Sequence, residues 1–181
     1  MKKFTLPFLL LLATLPLLLN ATEQLPHLEK DEGLAIIAIY SKGYAEKIKL
    51  DGPGFGNDQS YGPLVNAQHF EVQKLKAGKY TWDKVFEKVG ESLRRTSDLS
   101  DLNLGFEIIP GKLNYIGLLM FESNGSTYSA KILNRTSIIL SIMKQDFSPY
   151  LNNYSVVNGI YPDDQYVEYF LNNSQKTTTE E

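Results

Sequence analysis

Short runs of apolar and polar residues, separated by turn-forming residues, occupy the middle of the chain. Residues 44–50, 68–75, 80–86 and 126–133 alternate with a period of two. That period is typical of β-strands with one buried face. The run at 34–41 is apolar almost throughout, and Lys42-Gly43 separates it from 44–50. We predict two strands here, joined by a tight turn.

Two further strands are predicted at residues 104–109 and 113–122. Pro110, Gly111 and Lys112 separate them. Proline pre-sets φ for the first central position of a turn, and glycine tolerates the positive φ that a type II turn needs next. We therefore interpret this segment as a β-hairpin. The dipeptide Asn124-Gly125 predicts a second hairpin, between 113–122 and 126–133.

The pattern between and after the strands is different. Residues 51–63 contain four glycines and two prolines and are interpreted as a loop, and residues 87–103 as a long loop or a marginal helix. Apolar residues within 137–154 recur at helical spacing, which predicts an amphipathic helix ending near Pro149. Asp163-Asp164 is expected to open a short second helix.

About seven strands followed by one or two C-terminal helices define the predicted fold class. It is mainly β, an antiparallel β-sandwich with a helical appendage. The predicted parts are a signal peptide at 1–21, a polar N-terminal segment at 22–32, a β-sandwich domain at 33–134, a C-terminal helical appendage at 135–172 and a disordered tail at 173–181.

The signal peptide is predicted from three features. Lys2 and Lys3 are followed by an apolar stretch over residues 4–19, and Ala21 is a suitable small residue for cleavage. At about 16 residues the stretch is short for a membrane span, which needs roughly 20. We therefore expect a periplasmic or secreted protein that is not inserted in the membrane after cleavage. The chain has no cysteine, so it has neither a lipoprotein attachment site nor disulfides.

The net charge of the chain limits the kinds of partner that we expect. Cleavage would remove two lysines and no acid, so the net charge of −3 would become −5. An acidic surface disfavours nucleic acid, whose binding depends on phosphate neutralisation by Lys and Arg.

The pattern L-x-A-G-x-Y at 75–80 resembles the strand-end pattern of prealbumin-like and carboxypeptidase-regulatory-like β-sandwiches. In those families the leucine and the tyrosine flank a glycine turn and pack inward. The later segment FEIIPGKLNYIG, at 106–117, is similar to one found in small exported bacterial proteins of unknown function. The resemblance covers 34–122. It implies an envelope β-sandwich and carries no catalytic residue.

Catalytic and metal chemistry have little support in the sequence. His27 and His69 are the only histidines, too few for a typical zinc site or a well-supported triad. The acidic pairs Asp83/Glu87, Asp98/Asp101 and Asp163/Asp164 leave a carboxylate-based hydrolase or lyase open as an alternative. The glycine-rich loop lacks a nucleotide-binding motif, although Asp51, Asn57 and Asp58 leave an ion-binding loop open. No cofactor is expected.

Aromatic residues provide the clearest binding hypothesis. Most should belong to the core, but a subset on one open face could stack on a sugar ring or a peptide. The candidate ligand-binding residues are Tyr61, Trp82, Tyr115, Lys79 and Lys112. The two lysines follow glycines in separate turns, and they would form a small basic spot if those turns share one end of the fold.

The sequence thus predicts a non-catalytic exported protein that binds or scaffolds in the bacterial cell envelope. The expected partner is an envelope protein or a glycan. The alternatives are a glycan- or cell-wall-acting hydrolase or lyase, and an accessory subunit of a secretion or adhesion assembly that pairs through a strand edge.

Overall fold

The structure, a computed structural model, describes residues 25–89, 93–161 and 163–176. The predicted signal peptide and residues 177–181 of the predicted tail lie outside the described residues. The strands are β1 (Glu32–Asp51), β2 (Gln59–Tyr61), β3 (Leu64–Lys76), β4 (Gly78–Val89), β5 (Leu93–Asp98), β6 (Gly105–Ile108), β7 (Leu113–Ser123), β8 (Tyr128–Leu133) and β9 (Val156–Asn158). The helices are α1 (Thr136–Asp146), α2 (Ser148–Asn153) and α3 (Tyr166–Lys176), with a 3₁₀ turn at Ser100–Leu102.

The predicted class, mainly β with C-terminal helices, is confirmed. The described strands number nine rather than about seven, and they form one mixed sheet whose main path is β5-β4-β1-β7-β8. Most pairs are antiparallel, but β1–β7 and β7–β9 are parallel. The parallel pairs were not predicted, because hairpin-length links between strands favour antiparallel neighbours.

Strand β1 is the centre of the sheet. The predicted turn at Lys42-Gly43 is wrong: this dipeptide lies within one 20-residue strand. The register against β3 shifts between Ser41 and Tyr44, and Gly43 takes a φ of +109° there. Glycine tolerates that conformation readily, so the strand bulges and continues instead of reversing.

The first half of β1 is buried on both faces, which explains its continuous apolar run. Odd-numbered Ala35, Ile37 and Ile39 pack in one core, hereafter the inner core. Even-numbered Leu34, Ile36 and Ala38 pack in a second core on the opposite face, hereafter the outer core. A strand buried on one side would have alternated, so the lack of alternation here reflects two covering layers.

The inner core is enclosed by the curvature of the sheet. Trp82 and Tyr80 of β4 meet Phe106 of β6, and the Tyr80 and Phe106 rings stack with centroids 5.7 Å apart. At the far end, the Arg95 guanidinium of β5 lies 5.3 Å from the ring centroid of Tyr128 in β8. The sheet therefore curves around the inner core in the shape of half a barrel, and long side chains from its two end strands meet without the strands pairing.

Tyr80 and Leu75 are both buried in the inner core. The Tyr80 hydroxyl donates a hydrogen bond of 3.0 Å to the carbonyl of Lys76, across the Ala77-Gly78 turn. Both side chains of the L-x-A-G-x-Y pattern thus pack inward.

The outer core is covered by α1, α2 and the start of the described chain. Ile139 and Met143 of α1 and Tyr150 of α2 are buried against the sheet, and Leu25 and Leu28 pack beside them. No helix in the described part of the chain is long and apolar enough to cross a membrane.

The segment containing Pro110-Gly111 is a turn but not a hairpin, so that prediction is wrong. Gly111 takes the expected positive φ of +69°. However, β6 pairs with β4, whereas β7 pairs with β1, β8 and β9. The turn therefore carries the chain from one part of the sheet to another.

A buried asparagine fixes this turn. Asn114 is fully buried, and its Nδ2 donates to the carbonyls of Leu34 (2.9 Å), Ile109 (3.1 Å) and Lys112 (3.1 Å). Its Oδ1 accepts a 2.8 Å bond from the Ile109 amide. One side chain thus provides partners for both polar backbone groups of Ile109 in the irregular turn.

Gly117 marks a close approach inside β7. Its φ is +76°, and an added Cβ would meet Ile132 Cγ2 and Ile160 Cδ1 closer than van der Waals contact allows. Glycine is therefore required here both for its backbone conformation and for space.

The remaining predictions are met to different degrees. The hairpin at Asn124-Gly125 is confirmed, since β7 and β8 pair antiparallel on either side of it. The stretch at 87–103, predicted as a loop or a helix, contains β5. The amphipathic helix is α1, which ends at Asp146, and α2 begins at Ser148. Helix α3 runs beyond the predicted boundary at 172 to Lys176.

Candidate functional site

A groove between α1 and the outer face of the sheet is a concave and mostly apolar surface. Its volume is about 340 Å³. The side chains that give it this character are Ala38, Tyr40, Phe70, Leu118, Ile138 and Ile142. The volume lies near the lower limit of ligand-binding sites, which span roughly 300–1,000 Å³.

The local sequence explains why this space exists. Ala38 of β1 lies opposite Phe70 of β3 and Leu118 of β7, so the smallest of three neighbouring side chains is in the middle of the floor. On α1, Ile139 faces the core, whereas Ile138 is 55% exposed. Helix and sheet thus meet along part of their width and leave an open channel beside the contact.

One end of the channel is closed by aromatic packing. The ring of Phe147, which follows α1, lies 5.3 Å from the ring of Phe70. Phe147 also contacts Tyr150, with ring centroids 6.3 Å apart. Aromatic contacts of this kind keep the end of α1 fixed on the sheet.

Two opposite charges line the groove at the two ends of α1. Arg135 is the residue before the first turn, and Asp146 is the last residue of the helix. The Arg135 amide donates a 2.6 Å hydrogen bond to the buried Tyr115 hydroxyl, which anchors this end of the helix. Within the described residues, neither the guanidinium of Arg135 nor the carboxylate of Asp146 belongs to an ion pair.

The three predicted aromatic ligand residues lie in the cores. Tyr61 and Trp82 pack together in the inner core, and Tyr115 is in the outer core. Burial raises the pKa of both the Tyr61 and the Tyr115 phenol above the usual value. A covered ring has no free face for a sugar or a peptide, so these three residues do not form the expected open stacking face.

The two predicted lysines belong to turns at the same end of the sheet. The Ala77 amide donates to the Asp31 carbonyl (2.7 Å), and the Gly111 amide donates to the Glu32 carbonyl (2.8 Å). Lys112 Nζ is 2.7 Å from Ser155 Oγ, to which it donates, while Lys79 is exposed on β4 opposite Glu107. The turns share one end, but each lysine has a different neighbour, and their ligand role stays a prediction.

The acidic residues considered for catalysis have local structural partners. Glu87 is buried, accepts a 2.6 Å hydrogen bond from the Ser97 hydroxyl and lies 3.9 Å from Arg95. Asp98 accepts bonds from the hydroxyl and the amide of Ser100, and these lower its pKa. Asp164 accepts a 2.9 Å bond from the Tyr166 amide at the start of α3.

A catalytic acid needs the opposite environment, one that raises a carboxyl pKa. Among the described carboxyl groups, those with a clear shift are Glu32, Asp58 and Asp98, and all three are shifted downward. For Glu32 the main cause is a hydrogen bond from the Glu29 amide, and for Asp58 one from the Gly52 amide.

The glycine-rich loop holds an ammonium group where an ion-binding loop would hold a cation. Lys49 Nζ lies 2.5 Å from Asp51 Oδ1 and 3.3 Å from Asp58 Oδ2. The hydrogen bond to Asp51 is the main cause that raises the pKa of Lys49. Asn57 donates its amide to the Pro53 carbonyl. No group of three or more metal-ligating side chains occurs in the ranges that the structure describes.

A polar cluster borders the inner core near β2. The Tyr61 hydroxyl donates to Gln73 (2.6 Å), and the Gln73 amide donates to Gln59 (2.9 Å). His69 packs against Tyr61, and its Nε2 lies 3.4 Å from Glu71 Oε1 without a hydrogen bond. The Tyr61, Gln73 and Gln59 side chains therefore satisfy one another.

No groove residue was predicted from the sequence to bind an apolar ligand; His69, which also lines the groove, was considered only for zinc or triad chemistry. The helical spacing of apolar residues at 138, 139 and 142 was visible, but spacing alone does not separate the positions that face the sheet from those beside the contact. The small Ala38, one of two alanines in the apolar run 34–41, was the available signal for a recess in the floor.

No protein-family model, no curated protein and no solved structure matches the chain. The functional proposal therefore depends on the geometry and chemistry of these residues.

Proposed function

We propose that this protein is a non-catalytic binding protein of the bacterial cell envelope, and that its signal peptide is cleaved after Ala21 during export. The groove between α1 and the sheet is its binding site. The observation that supports this most directly is a concave, mostly apolar surface of ligand size on one face of a tightly packed sheet.

The surroundings favour binding over catalysis. The groove carries one carboxylate, Asp146, and a two-carboxylate mechanism would need a second within several Å. The acidic pairs considered from the sequence lie outside the groove lining. An apolar groove with few polar groups provides affinity through removal of apolar surface from water.

A neutral apolar fluorophore, N-phenylnaphthylamine, tests this role with the mature chain from Thr22 onward. We expect its emission to rise on binding to the wild-type protein. Ile142→Arg, which places a long charged side chain on the groove wall, should weaken binding by at least about tenfold. The control is Ser141→Arg on the same helix, because Ser141 is exposed and does not line the groove.

Ile138→Arg is a second blocking variant that does not disturb the core, since Ile138 is already largely exposed. Folding of each variant is checked by fluorescence of Trp82, the single tryptophan. If folded Ile138→Arg and Ile142→Arg bind the probe as well as the Ser141→Arg protein does, the groove is not the binding site. Absence of probe binding to the wild type would also reject the proposal.

A further inference from the structure

From the two charges that line this groove we infer the class of ligand: a single-chain amphiphile with one anionic head group, such as a medium-chain carboxylate. The head group is bound by Arg135, and the apolar chain lies along α1 toward Asp146. This ligand class depends on the binding role proposed above.

The position of Arg135 is unfavourable for the helix itself. It occupies the N-cap of α1 and makes no side-chain capping bond. Ser, Thr, Asp and Asn are preferred at that position. The N-terminal end of a helix also carries partial positive charge, so a cation there is repelled. An anion bound by the guanidinium would offset this repulsion.

The opposite end of α1 has the complementary defect. Asp146 is an anion at the C-terminal end, where the helix carries partial negative charge. Helix α1 has 11 residues, so the two charges are separated by about 16 Å along its axis. A ligand with an anion at each end would meet attraction at Arg135 and repulsion at Asp146, so the site should prefer monoanions.

The lining between these charges selects an apolar chain over a glycan. Ala38, Phe70 and Leu118 form the floor, and Ile138 and Ile142 form the wall. Sugar hydroxyls would lose their hydrogen bonds to water at such a surface and gain few in return. Each methylene removed from water adds to the affinity for an apolar chain. A volume of about 340 Å³ also fits a small ligand rather than a folded partner.

Bidentate pairing explains why arginine suits the head-group end. The guanidinium can donate two parallel hydrogen bonds to a carboxylate, which lysine cannot reproduce. Because the Arg135 side chain has no ion-pair partner elsewhere among the described residues, a ligand would not need to displace one.

Isothermal titration calorimetry of the mature chain with decanoate, decan-1-ol and decanedioate tests this inference. Decanoate should bind more tightly than decan-1-ol to the wild type. Arg135→Gln should weaken decanoate by at least about tenfold, the effect expected for one charge-assisted hydrogen-bonded pair, and leave decan-1-ol within about twofold. Lys131→Gln, at an exposed cation on β8 outside the groove lining, is the matched control.

The second arm uses Asp146→Asn. In the wild type decanedioate should bind more weakly than decanoate, and this difference should shrink by at least about fivefold in the variant. If Arg135→Gln weakens decanoate no more than Lys131→Gln does, or weakens both ligands equally, the anionic head group is wrong while the groove remains. If Asp146→Asn leaves the difference unchanged, the assigned direction of the chain is wrong.

The neutral probe separates the two proposals. Binding of N-phenylnaphthylamine that is lost in Ile138→Arg, together with equal affinities for decanoate and decan-1-ol, would keep the binding role and reject the ligand class. Failure of both the neutral probe and decanoate would reject both.

Discussion

Asn114 is the residue whose replacement should most clearly show how the turn after β6 is held. Its side chain bonds the Leu34 carbonyl together with both the amide and the carbonyl of Ile109. The Lys112 carbonyl also receives the Leu34 amide, so it keeps a partner when Asn114 is removed. The Leu34 carbonyl also keeps the Asn114 backbone amide, through the parallel pairing of Leu34 with Leu113. Asn114→Ala therefore leaves two backbone groups, the amide and the carbonyl of Ile109, without their bond.

The expected loss of stability follows from this count. Each buried hydrogen bond contributes about 1 kcal/mol net, and an unsatisfied buried group costs about 1–3 kcal/mol. Asn114→Ala should thus lower the free energy of unfolding by about 2 kcal/mol or more. Asn114→Asp should lower it further, because a carboxylate would face two or three carbonyl oxygens in a site closed to water.

Urea unfolding followed by Trp82 fluorescence measures both variants. Asn152→Ala on α2 is the matched control, because Asn152 is exposed and should change stability by less than about 0.5 kcal/mol. The hydrogen-bonding account is refuted if Asn114→Ala loses no more than the control. It is also refuted if Asn114→Asp is as stable as the wild type, since shape alone would then be sufficient.

Three further outcomes are expected. In urea unfolding, Gly117→Ala should destabilise the protein by about 1–3 kcal/mol more than Gly111→Ala does. Both glycines have a positive φ, but an added Cβ would clash at Gly117 and meet open space at Gly111. Equal losses of stability in the two variants would contradict this. Burial raises the pKa of the Tyr61 phenol above its ordinary value of 10.0. As the pH rises above 10.0, the unfolded state should lose the Tyr61 proton before the folded state does, so the free energy of unfolding should fall. In Tyr61→Phe this fall, measured by urea unfolding up to about pH 11, should be shallower. Expression of the full chain in a bacterium should yield an exported product whose mass corresponds to a chain that begins at Thr22. An uncleaved product would reject cleavage after Ala21.

Local patterns located most of the elements but not their neighbours. Period-two runs predicted strands at β3, β4 and β8, and helical spacing predicted α1, because apolar and polar residues recur in these segments with the period of the element. The same reasoning divided β1 at Gly43, since glycine after lysine is a turn signal as well as a bulge signal. Only the pairing of β1 with β3 and β7 distinguishes the two, and pairing is a long-range property.

The candidate site could not be predicted from the sequence, for a related reason. Tyr61, Trp82 and Tyr115 were singled out by residue type, and the same aromatic surface that suits a ligand suits a core. Arg135 and Asp146 can be recognised as unfavourable charges only once the ends of α1 are known. Whether a charge is favourable depends on which helix terminus it occupies. The groove itself arises from a mismatch in width between a helix and a sheet, which no single residue encodes.

The pairing of β1 has a consequence for the order in which the protein assembles. Strand β1 is synthesised early, but its second edge is occupied only once β7 has been made, because Leu34 pairs with Leu113 and Lys42 pairs with Glu122. Contacts between such distant segments form slowly because a long loop must close before they provide any stability. The nascent chain therefore has no complete hydrophobic centre until β7 has been synthesised. One of the first segments to be synthesised thus acquires its second edge only after β7 has been made.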